Sequence, residues 1–144
     1  MLHRTTDDLM NVLINIQDQN QLDSFLADQE TNRSLPPFHT YYSSLEKVGQ
    51  LKKADLMRAS GIERSYFYQI IDGRKQPGRD KVIAMGLAAA LNLKEILRCL
   101  ELAHQPLLYS RDKRDSILIY AIQQGKTVAE TNELLYGYGE NILS

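Results

Sequence analysis

Residues 51–77 read LKKADLMRASGIERSYFYQIIDGRKQP, and the reading of this stretch decides the fold. Two short helical patterns, over 53–60 and 64–72, flank Ser60-Gly61-Ile62. Gly61 suits a left-handed turn, a conformation that costs other residues about 1 kcal/mol or more. Leu56 and Met57 precede the turn, Ile62 lies within it, and Phe67 and Ile70 follow. Packed together, these five side chains would lock the two helices at a steep angle.

The second helix has two chemically different sides. At about 100° per residue, Arg64, Ser65, Tyr68 and Gln69 fall within about 140° of one another, and Tyr66, Phe67 and Ile70 lie opposite. The outward row carries hydrogen-bonding groups suited to base edges: Arg forks onto guanine O6/N7, and Gln onto adenine N6/N7. Lys52, Lys53, Arg74, Lys75 and Arg79 flank the helix and are expected to hold phosphates. The pattern predicts a helix-turn-helix whose second helix shows either groups suited to double-stranded DNA or an ordinary polar surface beside a turn.

Further features of the stretch point the same way. Leu51, Leu56, the Gly61-Ile62 turn, Arg64-Ser65-Tyr66, Gln69-Ile70 and the tail Gly73-Arg74-Lys75-Gln76-Pro77 are followed by Lys81 to Leu93, which ends in LAAALNL. This arrangement resembles the lambda-repressor-like helix-turn-helix regulators of the XRE or Cro/CI type. With a helix predicted over 37–48, the resemblance spans roughly 37–93 of the 144 residues. It implies that the helix before the turn crosses the DNA backbone and the helix after it lies in the groove. It also implies that Lys53, where the family usually has Gln, contacts phosphate. Arg64, Ser65 and Gln69 match base-reading positions, with Tyr68 beside them. Glu63 departs from the pattern, occupying the cap position where Ser or Thr is common and bringing a negative charge close to the DNA backbone. The whole chain is similar to a group of Firmicutes regulators with extra helices at both ends, which implies no particular ligand or operator. Regulators of this fold often bind as dimers across half-sites about 34 Å apart. A homodimer is therefore implied, although no coiled-coil heptad supports it, and the effector is unknown.

Charge is distributed in accord with this reading. Residues 1–46 hold two basic and seven acidic groups, 47–81 nine basic and four acidic, and 82–144 six basic and seven acidic. The net charges are −5, +5 and −1, consistent with one local anion-binding face in the middle of the chain.

Outward from the motif the chain continues to read as helical. Thr6 is expected to cap a helix through Ile16, and a second helix covers Gln21 to Gln29. Glu30 to Ser34 followed by Pro36-Pro37 reads as a linker. Pro37 opens the helix over 37–48, and Gly49 ends it. Helices are predicted over 79–91 and from Leu93 to Ala103, where Pro106 breaks the pattern. Two more cover Asp112 to Gln124 and Val128 to Tyr136, the last with Thr127 and Glu130 as a capping box. Arg111, Lys113 and Arg114 form a small basic cluster that reads as a solvated helix end. The expected fold is all-α. It comprises an acidic helical arm and linker (1–35), a five-helix DNA-binding domain (36–104) and a helical extension packed on it (105–144).

Little favours catalysis. His3, His39 and His104 stand at no metal-ligand spacing, and there is no phosphate-binding glycine loop or nucleophile elbow. No enzyme, cofactor or metal is expected. The one cysteine, Cys99, excludes an intramolecular disulfide and reads as a buried core thiol. Residues 1–8 lack a secretory pattern, and the apolar run 82–91 is short of the ~20 residues that span a bilayer. A cytoplasmic protein without membrane contact is expected. The competing reading is a non-catalytic interaction module, antitoxin-like or inhibitory, that uses the helix-turn-helix as a scaffold.

Overall fold

A computed structural model describes residues 6–32 and 35–144, which form ten helices and no strand. The chain divides into two compact units, Met1–Leu35 and Pro36–Ser144.

The first unit contains α1 (Thr6–Ile14) and α2 (Gln19–Asn32). α1 stops short of the expected Ile16 because the Asn15 and Ile16 N–H groups bond three residues back, to Val12 and Leu13 carbonyls at 3.2 Å. α2 begins earlier than expected. The Asp18 carboxylate accepts the Gln21 N–H at 2.8 Å, while the Gln21 amide oxygen accepts the Gln17 N–H at 2.8 Å. α2 also absorbs 30–32 of the expected linker. Residues 33–34 of that linker and the expected capping side chain of Thr6 lie outside what is described.

The second unit comprises α3 (Phe38–Ser44), α4 (Glu46–Gly49), α5 (Lys53–Ser60), α6 (Arg64–Ile71), α7 (Arg79–Ala88), α8 (Leu93–Leu102), α9 (Lys113–Gln123) and α10 (Val128–Gly137). The single helix predicted over 37–48 is in fact two. Leu45 is extended (ψ 134°) between them, and the Ser44 hydroxyl donates to the Tyr41 carbonyl at 2.6 Å, offering the backbone a local alternative to the helix. α7 ends before the expected 91: Ala90 turns left-handed (φ 54°), and the Leu91 N–H closes onto the Gly86 carbonyl at 2.9 Å. His104 (φ 58°) ends α8 in the same way, two residues before Pro106. Reciprocal capping boxes open α8 (Asn92 with Glu95) and α10 (Thr127 with Glu130).

One core joins these helices, built on Phe38, Phe67, Ile70, Ile83, Leu100, Leu118 and Leu135. α7 runs through its middle with every residue from Val82 to Leu87 buried, packed by α5, α8 and α10. α8 comes so close that a Cβ on Gly86 would lie 2.6 Å from Ile96 Cγ1. The buried Tyr42 hydroxyl donates to the Met85 carbonyl at 2.8 Å, which meets the cost of burying a polar group, and burial raises its pKa. Cys99 is fully buried. Burial, with a contribution from the Glu95 charge, pushes its thiol up to about 12, so little nucleophilic thiolate exists near neutral pH. Among the described residues no helix is long and apolar enough to cross a membrane.

Candidate nucleic-acid interface

The turn between α5 and α6 is built from side chain and backbone together. Gly61 is left-handed (φ 72°) and its N–H bonds the Arg58 carbonyl at 3.2 Å. The Ser60 hydroxyl donates to the Met57 carbonyl at 2.7 Å and accepts the Ile62 N–H at 3.2 Å. Leu56, Ile62, Phe67 and Ile70 are buried in one cluster, with Met57 half-buried against it.

Glu63 caps α6. Its carboxylate accepts the Ser65 N–H at 3.0 Å and the Tyr66 N–H at 2.9 Å. Those two bonds, Tyr66 first, hold its carboxyl below the usual carboxylate range. Its charge therefore faces the positive end of the α6 dipole.

Along α6, Arg64 and Ser65 are exposed, Tyr68 and Gln69 are half-buried, and Phe67, Ile70 and Ile71 are buried. Tyr68 meets Phe67 edge-on at 5.7 Å. Tyr66 is half-buried and carries the Lys81 ammonium over its ring at 5.3 Å. Beyond α6, Gly73 turns left-handed (φ 82°), and the Arg74 and Lys75 N–H groups both bond the Gln69 carbonyl at 2.9 and 3.1 Å. The His39 ring lies against this turn, where a Cβ on Gly73 would sit 2.5 Å from His39 Cε1.

Ion pairing sorts the basic residues. Lys47 pairs with Glu95 at 2.9 Å, Arg58 with Asp55, and Arg74 with Asp72 at 2.7 Å. Lys52, Lys53, Arg64 and Lys75 are exposed and form no ion pair with another described residue. Arg74 stays accessible because its partner Asp72 is itself exposed.

Arg79, expected on a phosphate, is instead committed to partners within its own unit. Its guanidinium donates to both oxygens of Asp115 at 2.8 and 2.7 Å, and to the Pro106 and Leu107 carbonyls at 2.9 Å each. Asp115 is buried, and a buried carboxylate needs such a partner. Of the basic cluster read as a solvated helix end, Arg111 and Lys113 are exposed, but Arg114 is half-buried and paired. Lys113 donates to the Tyr138 carbonyl at 2.8 Å, and Arg114 forks onto Asp80 at 3.1 and 2.9 Å. Arg79-Asp80 at the start of α7 thus clasps Arg114-Asp115 of α9 through two crossed pairs. The two identical Arg-Asp dipeptides are the sequence signal for this clasp, but partners 34 and 36 residues apart hide their proximity.

Among the described residues no cluster of His, Cys, Asp and Glu is arranged to hold a metal ion. A groove of about 400 Å³ between α9 and α10 is lined by Ser116, Ile117, Tyr120, Leu134 and Tyr138. Comparison with protein-family models, curated proteins and solved structures finds no match to this chain.

Proposed function

We propose that the chain is a sequence-specific DNA-binding transcriptional regulator of the lambda-repressor-like type, acting as a repressor. The observation that carries this reading is the outer row of α6. Arg64, Ser65, Tyr68 and Gln69 lie on a helix held behind a left-handed Gly61 turn, and exposed, unpaired Lys52, Lys53 and Lys75 sit on the segments at either side. α6 lies in the major groove. Arg64, Ser65, Tyr68 and Gln69 read base edges. Lys52, Lys53, Lys75 and, after exchange of its Asp72 partner, Arg74 neutralise phosphates. Two copies reading half-sites about 34 Å apart would double the contacted sequence.

A specific observation also favours the interaction-module reading: Tyr120, Tyr136 and Tyr138 on α9 and α10 are 52%, 81% and 59% exposed. One experiment separates the two. Purified protein is mixed with fragmented genomic DNA at low and moderate salt, and the retained fragments are sequenced. The DNA-binding reading expects a shared motif at both salts. Retention confined to low salt, without a motif, reduces it to phosphate attraction. No retention at all favours the interaction module.

A further inference from the structure

Segment 139–144 has no regular structure, yet it is tied down along its length. Arg114 Nε donates to the Asn141 carbonyl at 3.0 Å. The Leu143 N–H donates to the Asn132 side-chain oxygen at 2.9 Å, and the Ser144 N–H to Asp80 Oδ2 at 3.1 Å. Leu143 is 9% exposed and belongs to the core cluster. Leu143 and Ser144 share the lining of one small cavity, about 80 Å³, with Ser60, Gly61 and Ile62. Those last three residues are the turn between α5 and α6.

We propose that 139–144 is a strap through which the α9–α10 pair holds the α5–α6 turn rigid, making Leu143 and Asn132 positioning residues for α6. The turn is anchored on its inner side by buried Ile62 and Ser60, and the strap lies over its other side. Its own bonds are the Ser60 hydroxyl pair and one backbone N–H, and Gly61 offers no side chain to pack. Asp80 is the node of the device, accepting from Arg114 of α9 and from the strap while standing in the first turn of α7. Lifting the strap removes Leu143 from the core and lets water reach Ile62, so the turn opens locally while the rest of the core stays packed. The link from strap to turn stands on geometry alone. The consequence for DNA rests on the reading above.

Hydrogen exchange of the full-length chain tests the strap without DNA. Leu143→Ala and the milder Asn132→Ala are compared with Leu97→Ala, which lies on α8 beside a separate groove. Leu143→Ala should speed exchange of the Gly61 and Ile62 amides about tenfold, the ratio that ~1.4 kcal/mol of easier opening produces. Asn132→Ala should act in the same direction by a smaller factor, and Leu97→Ala should leave these two amides at the wild-type rate. Unchanged Gly61 and Ile62 exchange in both strap variants, or an equal rise in Leu97→Ala, overturns the proposal. If Leu143→Ala does not fold, Asn132→Ala decides alone. DNA affinity measured in parallel should fall severalfold in Asn132→Ala, which removes no proposed DNA contact. A wild type that does not bind DNA sinks the regulator reading, and the exchange result is unaffected.

Discussion

Arg64 and Lys75 both present an unpaired charge at the proposed interface, but their loss should be felt differently. A bidentate contact to a base edge discriminates between sequences, so Arg64→Ala should cost about 1–3 kcal/mol on the operator and relax preference at one position. A phosphate contact carries no sequence information, so Lys75→Ala should weaken every sequence alike and lower the salt slope by roughly 1. Titrations on operator and scrambled DNA across a salt series check both, and identical behaviour of the two variants refutes the readout assignment. Glu63 sits beside Arg64 and has a different task. Because its carboxyl is held below the usual range in the folded chain, its cap is fully present above the unfolded value of about 4.3. That contribution fades as the pH falls through the lower folded value. Glu63→Ala should therefore melt lower than wild type at pH 7, with the gap closing in acid. Glu63→Ser, a neutral cap, should recover most of the loss and show no such pH dependence.

At the scale of elements, two left-handed glycines punctuate the motif, and their surroundings differ. Around Gly61 a Cβ would meet nothing within 4 Å, so Gly61→Ala should cost only the backbone strain, about 1–2 kcal/mol. At Gly73 the same strain is joined by a clash with the His39 ring. Gly73→Ala should therefore be the more damaging of the two in urea unfolding, and adding His39→Ala should bring it back toward the Gly61→Ala cost. Equal costs for the two single variants, with no rescue by His39→Ala, would show that the ring simply swings aside. The same scale explains where sequence expectations slipped. Apolar spacing runs unbroken through Leu45 and through Ala89 to Leu91, so periodicity extends both helices. What ends them is a serine hydroxyl bonding its own backbone in one case and a carbonyl closure by Leu91 in the other.

For the whole molecule, the crossed pairs Arg79–Asp115 and Asp80–Arg114 join the helix after the motif to the extension. Asp115 feels burial, which pushes its pKa up, but Arg79 and the Tyr109 N–H outweigh it and hold the carboxyl below the usual range. Its contribution is thus present above the unfolded value of about 3.9 and is lost as pH falls through the folded one. Arg79→Ala leaves Asp115 buried without its cation. The cost at pH 7 should be about 2–4 kcal/mol, at or below the ~3–5 found for fully buried pairs because Arg79 is part-exposed. The deficit should shrink in acid as Asp115 protonates, which chemical denaturation at pH 7 and near pH 3 would reveal. A deficit independent of pH would mean that Arg79 acts through its carbonyl bonds alone.

The sequence by itself determined the all-α class, the Gly61 turn with its apolar anchors, the buried Phe67 and Ile70 of α6, and the Thr127 and Glu130 cap. All of these are written in local spacing, because helix periodicity, capping and left-handed glycine act over four residues or fewer. Only the tertiary structure decided which cations are exposed and which are committed within the fold. Arg74, Lys75 and Arg79 look alike in sequence, yet Arg79 is bound by a carboxylate 36 residues away. Glu63 is the opposite case: its two N–H partners stand two and three residues on, so its capping is local, and its charge remains beside the proposed interface. Charge pairing follows distance in space rather than along the chain, so composition records a basic segment while packing determines how much of it faces solvent.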